Sequence, residues 1–238
     1  YGSSLLETEV DKQNRPYHSG SSNSIIATKT AMLISGCSKT IIHSSVFKID
    51  TFAFQGASRL SEIFIPHHVT KIEDGALADC SNLVSISVDK KNALYNDGDG
   101  SNCIIEKQTG TLVCGGCATK IPSNVLTIGA MAFRGMETPA TLIIPENVKT
   151  IKRSAFVGCS GLKHLFVPGH TTIGTQAFAG CKQLESVIFG EGMKKIPPVA
   201  FAGCTNLKNV HIPETVKEIA GDAFAGCFGD DASFFEKQ

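Results

Sequence analysis

Apolar positions recur along this chain on a beat marked by one isoleucine per unit. With the isoleucine four residues before each Ala-Phe or Ala-Leu pair as anchor, the series is Ile49, Ile72, Ile128, Ile151, Ile173, Ile196 and Ile219, with gaps of 23, 56, 23, 22, 23 and 23 residues. Each unit reads I-x-x-x-A-F-x-G-C-x-x-L-x-x-V-x-I-P-x-x-V-x-x, as in "AFAGCKQLESVIFG" from Ala177 and "AFAGCTNLKNVHIP" from Ala200. A fixed period of this size marks one supersecondary unit stacked on copies of itself. The gap of 56 holds one repeat and an insert of 33 residues that begins after Val88.

Within a unit, Ala155 and Cys159 lie one helical turn apart with Phe156 beside them, which predicts a brief inward-facing helical piece. Gly158, Gly180, Gly203 and Gly226 end it, because glycine takes left-handed dihedrals cheaply. Leu165 and Val167, then Val210 and Ile212, alternate into Pro168 and Pro213, which predicts short strands stopped by a residue with no donor. Strands repeated on one beat stack parallel and in register, giving a solenoid. Its core is a set of columns: Phe54, Phe133, Phe156, Phe178, Phe201 and Phe224 with Leu77 in the odd place, the anchor isoleucines, and the inward strand residues. A single repeat cannot bury these faces alone, so neighbours stabilise each other and the ends need caps.

A longer period organises the rest. "NSIIATKTAMLISGC" from Asn23 matches "NCIIEKQTGTLVCGGC" from Asn102, 79 residues on, and "VDKQNRPY" from Val10 matches "VDKKNALY" from Val88. The chain thus opens in mid-repeat, with no initiator Met or targeting segment ahead of it, as expected of a piece of a longer product. The expected division is a single solenoid over 1–238. It runs as a partial repeat and insert (1–48), repeats (49–88), an insert (89–127), repeats (128–227) and a C-terminal cap or linker (228–238) carrying Phe228, Phe234 and Phe235.

These motifs resemble the BspA-like leucine-rich repeats of bacterial and protist surface proteins. The resemblance is carried by "IPENVKTIKRSAFVGCSGLKHLFVP", "IPETVKEIAGDAFAGC" and the insert "NCIIEKQTGTLVCGGCATKIPSNVLTIGAMAF". It implies a leucine-rich-repeat solenoid, a right-handed horseshoe of short parallel β-strands with brief helical turns, mainly β, with hairpin inserts. It also implies surface recognition or adhesion without naming a ligand. Leu77 for Phe, Pro139 for Leu and Gly190 for the strand-ending Pro depart from the pattern.

Composition narrows the function classes. Lys plus Arg and Asp plus Glu both number 22, so the formal charge is zero and nothing argues for nucleic acid or an anionic membrane. No apolar run is long enough to span a bilayer in this segment. Five of the nine cysteines, Cys80, Cys159, Cys181, Cys204 and Cys227, share one repeat position and read as free core thiols. "CIIEKQTGTLVC" reads as a hairpin that sets Glu106 opposite Thr111, Ile105 opposite Leu112 and Cys103 opposite Cys114, with Ser24 opposite Ser35 in the equivalent copy. A Cys103–Cys114 disulfide is expected if the chain is exported, and two reduced thiols otherwise. Cys114 and Cys117 form a lone C-x-x-C with no second pair. "NDGDGSN" imitates the start of a calcium loop at Asp97, Asp99 and Ser101, but Asn102 and Gln108 stand where the loop needs Gly and Glu, so it reads as a solvated turn. His67, His68, His164, His170 and His211 show no metal-ligand spacing, and no nucleophile elbow, phosphate loop or zincin motif appears. No metal, no cofactor and no enzymatic activity are expected.

The informative column lies between the two inward residues of each strand: Phe64, Ser87, Ile143, Phe166, Ile188 and His211. By pleat alternation these point away from the core, and most are apolar. Lys163, His164, Glu185, Lys208 and Asn209 lie just ahead of them as a rim. The expectation is a non-enzymatic recognition or adhesion module, extracellular or on a cell surface, whose concave strand face binds a protein such as an extracellular-matrix or host surface protein. The alternatives are an intracellular interaction scaffold and a structural spacer, in which these side chains serve only β-propensity and packing along the ladder.

Overall fold

The computed structural model describes residues 17–20 and 24–227. The chain forms two compact units, Tyr1–Lys120 and Ile121–Gln238. In the first, the strands are β1 (Tyr17–Gly20), β2 (Ser24–Ala27), β3 (Met32–Ser35), β4 (Lys48–Ile49), β5 (Glu62–Ile65), β6 (Lys71–Ile72), β7 (Ser85–Val88), β8 (Tyr95–Asn96), β9 (Cys103–Glu106) and β10 (Thr111–Gly115). In the second they are β11 (Thr127–Ile128), β12 (Thr141–Ile143), β13 (Thr150–Ile151), β14 (His164–Val167), β15 (Thr172–Ile173), β16 (Ser186–Phe189), β17 (Lys195–Ile196), β18 (Asn209–His211) and β19 (Glu218–Ile219).

Stacked repeats pair in parallel, as a common period requires. The second unit carries the ladder β12-β14-β16-β18 on one side, with β11-β13-β15 and β17-β19 along the isoleucine column. The first unit pairs β5 with β7 and β4 with β6 in the same way. Its hairpins are antiparallel, and β3 leaves its hairpin to pair in parallel with β4, so Leu33 joins Ile49 and Ile72 in one buried column. The expected cap at 228–238 and the partial repeat ahead of Tyr17 lie outside the described residues.

The Phe column is a stack of nearly parallel rings. Phe133, Phe156, Phe178, Phe201 and Phe224 follow one another at 4.9, 5.0, 5.2 and 5.2 Å, tilted by 4 to 9°. These distances track the spacing of hydrogen-bonded strands, and identical rings at that spacing pack face along face. The backbone enforces it: the N–H groups of Phe133, Phe156, Phe178 and Phe201 donate to the Ala155, Ala177, Ala200 and Ala223 carbonyls at 2.7 to 2.8 Å. In the first unit Phe54 N–H donates to Ala76 O in the same way.

The expected helical piece is instead a run of single-bond turns, with no helix among the described residues. The reason is a pair of left-handed residues that bracket the Ala-Phe of every turn but the last, where Asp222 ahead of Ala223 is not left-handed. The trailing one is Gly158, Gly180, Gly203 or Gly226 (φ 69 to 74°), as the sequence predicts. The leading one, Phe52, Met131, Ser154, Gln176 or Val199 (φ 55 to 60°), breaks the helix before it can propagate. Only in the turn of Leu77 is the leading residue a glycine, Gly75.

One register expectation needs correction. Glu106 does face Thr111 and Ile105 faces Leu112, but Val113 forms a bulge, which puts Cys114 opposite Ile104 and Gly115 opposite Cys103. The same bulge at Ile34 sets Ser35 opposite Ile25 rather than Ser24. An extra residue in one strand moves every later partner by one. The Cys103–Cys114 pairing that the disulfide expectation rested on is therefore not formed, and both cysteines are free thiols.

Two expected outcomes follow from this packing. Phe178→Ala removes the middle ring of the stack and lowers stability by about 3–5 kcal/mol in urea unfolding. Val199 is a β-branched residue held left-handed, so Val199→Gly, which matches Gly75, raises stability by about 1 kcal/mol in the same measurement.

Candidate functional site

On the outer face of β12, β14, β16 and β18 the register aligns two rows. Thr141, His164, Ser186 and Asn209 form one; Ile143, Phe166, Ile188 and His211 form the other. Leu165, Val167, Val187 and Phe189 point inward and are buried, with Leu142 and Val210 half-buried at the two ends of the ladder, so pleat alternation fixes which side chains face out. Ile143 is 65% exposed and Ile188 48%, while Phe166 is half-buried between them and His211 is exposed. An apolar row of this kind, bordered by hydroxyl, imidazole and amide groups, is more than scattered surface apolar residues. Along the polar row, His164 Nδ1 lies 2.9 Å from Ser186 Oγ.

Lys163, Glu185 and Lys208 sit one residue ahead of the strands and stack as their own column. Glu185 N–H donates to Lys163 O and Lys208 N–H to Glu185 O, at 2.8 and 2.9 Å. Lys163 Nζ approaches Glu185 Oε1 to 3.7 Å, an exposed pair that contributes little stability but fixes where charge lies at the border of the face.

Phe64 lies in the first unit, facing Ser87 across β5 and β7. It is 53% exposed. One period earlier stands Ile41, 72% exposed, a residue the sequence reasoning passed over. Its signal was there in the 23-residue offset from Phe64, hidden because residues 39–42 lack the alternation of a strand.

The repeated cysteines are buried, and their role is to satisfy carbonyls. Cys80, Cys159, Cys181, Cys204 and Cys227 each donate from Sγ to the carbonyl of the Phe one turn earlier, at 3.0 to 3.2 Å. That carbonyl also accepts the backbone N–H three residues on in its own turn, for example Cys159 N–H on Phe156 O. The thiol thus meets the second lone pair of a buried acceptor. Burial pushes the Cys80 and Cys103 thiols up to about 12. Cys204 reaches about 12 first through its hydrogen bond with Cys181 and then through burial, against an opposing bond from Cys227. Thiols so held are poor nucleophiles.

The acidic loop is a chain of tight turns. Asn96 Oδ1 accepts Gly98 N–H and Asp97 Oδ1 accepts Gly100 N–H, with Asp99 and Asn102 left-handed. Among the described residues no group of three or more His, Cys, Asp or Glu side chains is placed to hold a metal ion. His67 faces Asp89 at 3.2 Å at the surface. Among the described residues no helix is long and apolar enough to cross a membrane.

Turns that share one hydrophobic pattern, stack in parallel and leave one sheet face open define a leucine-rich-repeat module. The chain belongs to the BspA type leucine-rich repeat family, whose model matches residues 22–106 and 116–229 in 6 copies. No curated protein matches it. A leucine-rich repeat protein from Eubacterium ventriosum shares the fold with a TM-score of 0.61 at 21% identity, over 82% of this chain and 66% of that one. A leucine rich cell surface protein from Faecalibacterium prausnitzii is 31% identical with a TM-score of 0.54, over 77% of this chain and 43% of that one. A leucine-rich repeat protein from Bacteroides ovatus is 19% identical with a TM-score of 0.50, over 94% and 80%. The chain thus spans less than two thirds of the length of the first two.

The buried thiols give an alkaline signature. An unfolded thiol ionises near 9.0, whereas Cys80, Cys103 and Cys204 hold their protons to about 12 in the folded chain. Between these values the unfolded chain binds fewer protons, so stability falls as pH rises from 9 to 12. Urea unfolding across that range is expected to show the fall, with a shallower slope for Cys204→Ala than for the wild type.

Proposed function

We propose that this chain is a non-catalytic protein-recognition module, secreted or displayed at a cell surface, that binds through its open strand face. The observation that carries this reading is the aligned row Ile143, Phe166, Ile188 and His211. Inner positions of the same strands repeat their chemistry from turn to turn, whereas this row changes from aliphatic to aromatic to imidazole. Such a face, apolar at the centre and polar at the border, has the make-up of a protein–protein contact. Phe64 in the first unit, and Lys163, His164, Glu185 and Lys208 at the border in the second, are the remaining contact candidates. The Faecalibacterium relative, a cell surface protein, supports the location, and a protein of an extracellular matrix or host surface is the partner class. No catalytic role is assigned to any residue.

The test pairs binding with folding. Phe166→Ser and Ile188→Ser together leave the buried columns intact, so circular dichroism stays that of the wild type. Binding to an immobilised panel of purified extracellular-matrix and host surface proteins is expected to fall on the order of a hundredfold, as when a central apolar anchor is truncated. Unchanged binding by the folded double variant moves recognition off this face. No binding by the wild type to any member leaves the spacer reading in its place.

A further inference from the structure

The turn-to-turn ladder is broken at one edge of β5. Between β12 and β14 of the second unit the handover between turns is complete: Lys163 and His164 N–H both donate to Ala140 O, at 2.8 and 2.9 Å, and Ile144 N–H donates to Phe166 O at 3.0 Å. The corresponding groups in the first unit are Ser61 and Glu62 N–H with Ser38 O, and Ile42 N–H with Phe64 O. None of these bonds forms, and residues 39–42 are not a strand. The cause is local. Cys37 N–H donates to Thr40 Oγ1 at 2.7 Å and Thr40 N–H returns to Cys37 O at 3.0 Å, which winds residues 37–40 into a turn where an extended segment is needed.

The other edge of β5 is fully used. Val84 and Ser85 N–H donate to Ser61 O, Asp89 N–H donates to Ile65 O, and the four residues pair in register with β7. Alternate residues of a parallel strand turn their backbone groups to opposite neighbours. Ser61, Ile63 and Ile65 are committed to β7, so Glu62 and Phe64 present theirs toward residues 39–42. An open cavity of about 410 Å³ lies there, with residues 38–42 on one wall and Glu62, Phe64, Ser85 and Ser87 on the other. The exposed Ile41 and Phe64 side chains flank it, and Lys39 is engaged by a contact of its own.

We propose that this opening receives an extended peptide strand from a partner protein, which adds to the free edge of β5. The backbone chemistry selects the occupant. Alternating N–H and C=O groups at strand spacing are matched by another extended main chain and by no simple anion or apolar ligand. The side chains refine it. Glu62 and Phe64 point to the same face, so a neighbouring strand offers a basic residue beside Glu62 and, two positions along, an apolar one between Phe64 and Ile41. The site uses none of the residues of the row Ile143, Phe166, Ile188 and His211, and either can fail without the other.

The experiment begins with amide hydrogen exchange on the free protein. Glu62 and Phe64 amides exchange faster than His164 and Phe166, which hold the same repeat positions in a paired strand. The probe is a blocked peptide of sequence Thr-Lys-Val-Phe-Val-Thr, with an analogue N-methylated at alternate residues to remove one edge of donors. The unmodified peptide slows exchange at Glu62 and Phe64 on the order of tenfold, the N-methylated one does not, and the Phe166→Ser, Ile188→Ser variant responds like the wild type. Equal protection of the two residue pairs in the free protein, no slowing by the unmodified peptide, or equal action of both peptides overturns the proposal.

Discussion

The structure depends on one backbone contact repeated from turn to turn: the Phe N–H of each turn donating to the Ala carbonyl of the next. Two turns tied at that point and again along the strands have no freedom in their spacing. Every position inside the unit then faces its own copy at the same distance, and side chains must suit self-stacking. Phe does so by laying ring on ring. Ala fits because the column runs where backbones meet, and Ala155, Ala177, Ala200 and Ala223 are wholly buried. Cysteine does so because a thiol is small, tolerates burial, and carries a proton for the Phe carbonyl one turn back.

The same constraint decides where information about a partner can reside. A residue in a buried column is chosen by its copies above and below. Residues that alternate outward on the strands escape that selection, since they touch solvent. In the second unit the inward positions 165 and 187 are Leu and Val, near equivalents, while the outward row runs Ile143, Phe166, Ile188 and His211. The border column is likewise uneven, with Glu185 between Lys163 and Lys208. Variation on one face of an otherwise repetitive sheet is what a recognition surface requires, whereas a spacer gains nothing from it.

Much of this was legible in the sequence because repetition multiplies a weak local signal. A single Ile-x-x-x-Ala-Phe says little, but seven anchors in register identify the columns, the strands and the trailing left-handed glycines. What escaped is what repetition does not encode. The leading left-handed position accepts Phe52, Met131, Ser154, Gln176 and Val199, side chains with no common φ preference, so only the tertiary ladder imposes that conformation. The bulges at Val113 and Ile34 are invisible in a hairpin read by counting, because one extra residue leaves the composition unchanged. Ile41 was missed for the opposite reason: its period is right, but the threonine turn over residues 37–40, directly ahead of it, removed the strand around it.

Where the period is interrupted, side chains have to take over hydrogen bonds that a neighbouring turn would supply. Asn92 shows this in full: its Nδ2 donates to the Pro66 and Val69 carbonyls, and its Oδ1 accepts the Leu94 and Tyr95 N–H groups. Tyr95 then accepts the Ile72 N–H on its hydroxyl at 3.1 Å, at the edge of β6. Thr119 similarly ties Gly116 N–H, at 2.7 Å, to the Asn102 carbonyl. These substitutions follow from the cost of leaving a buried backbone group unpaired. At Glu62 and Phe64 no side chain performs this service, and their edge opens on a cavity rather than on a packed wall. Asn92, Tyr95 and Thr119 supply polar replacements at the interruption after β7, and the edge at Glu62 and Phe64 is set apart from it by what it leaves for another main chain to complete.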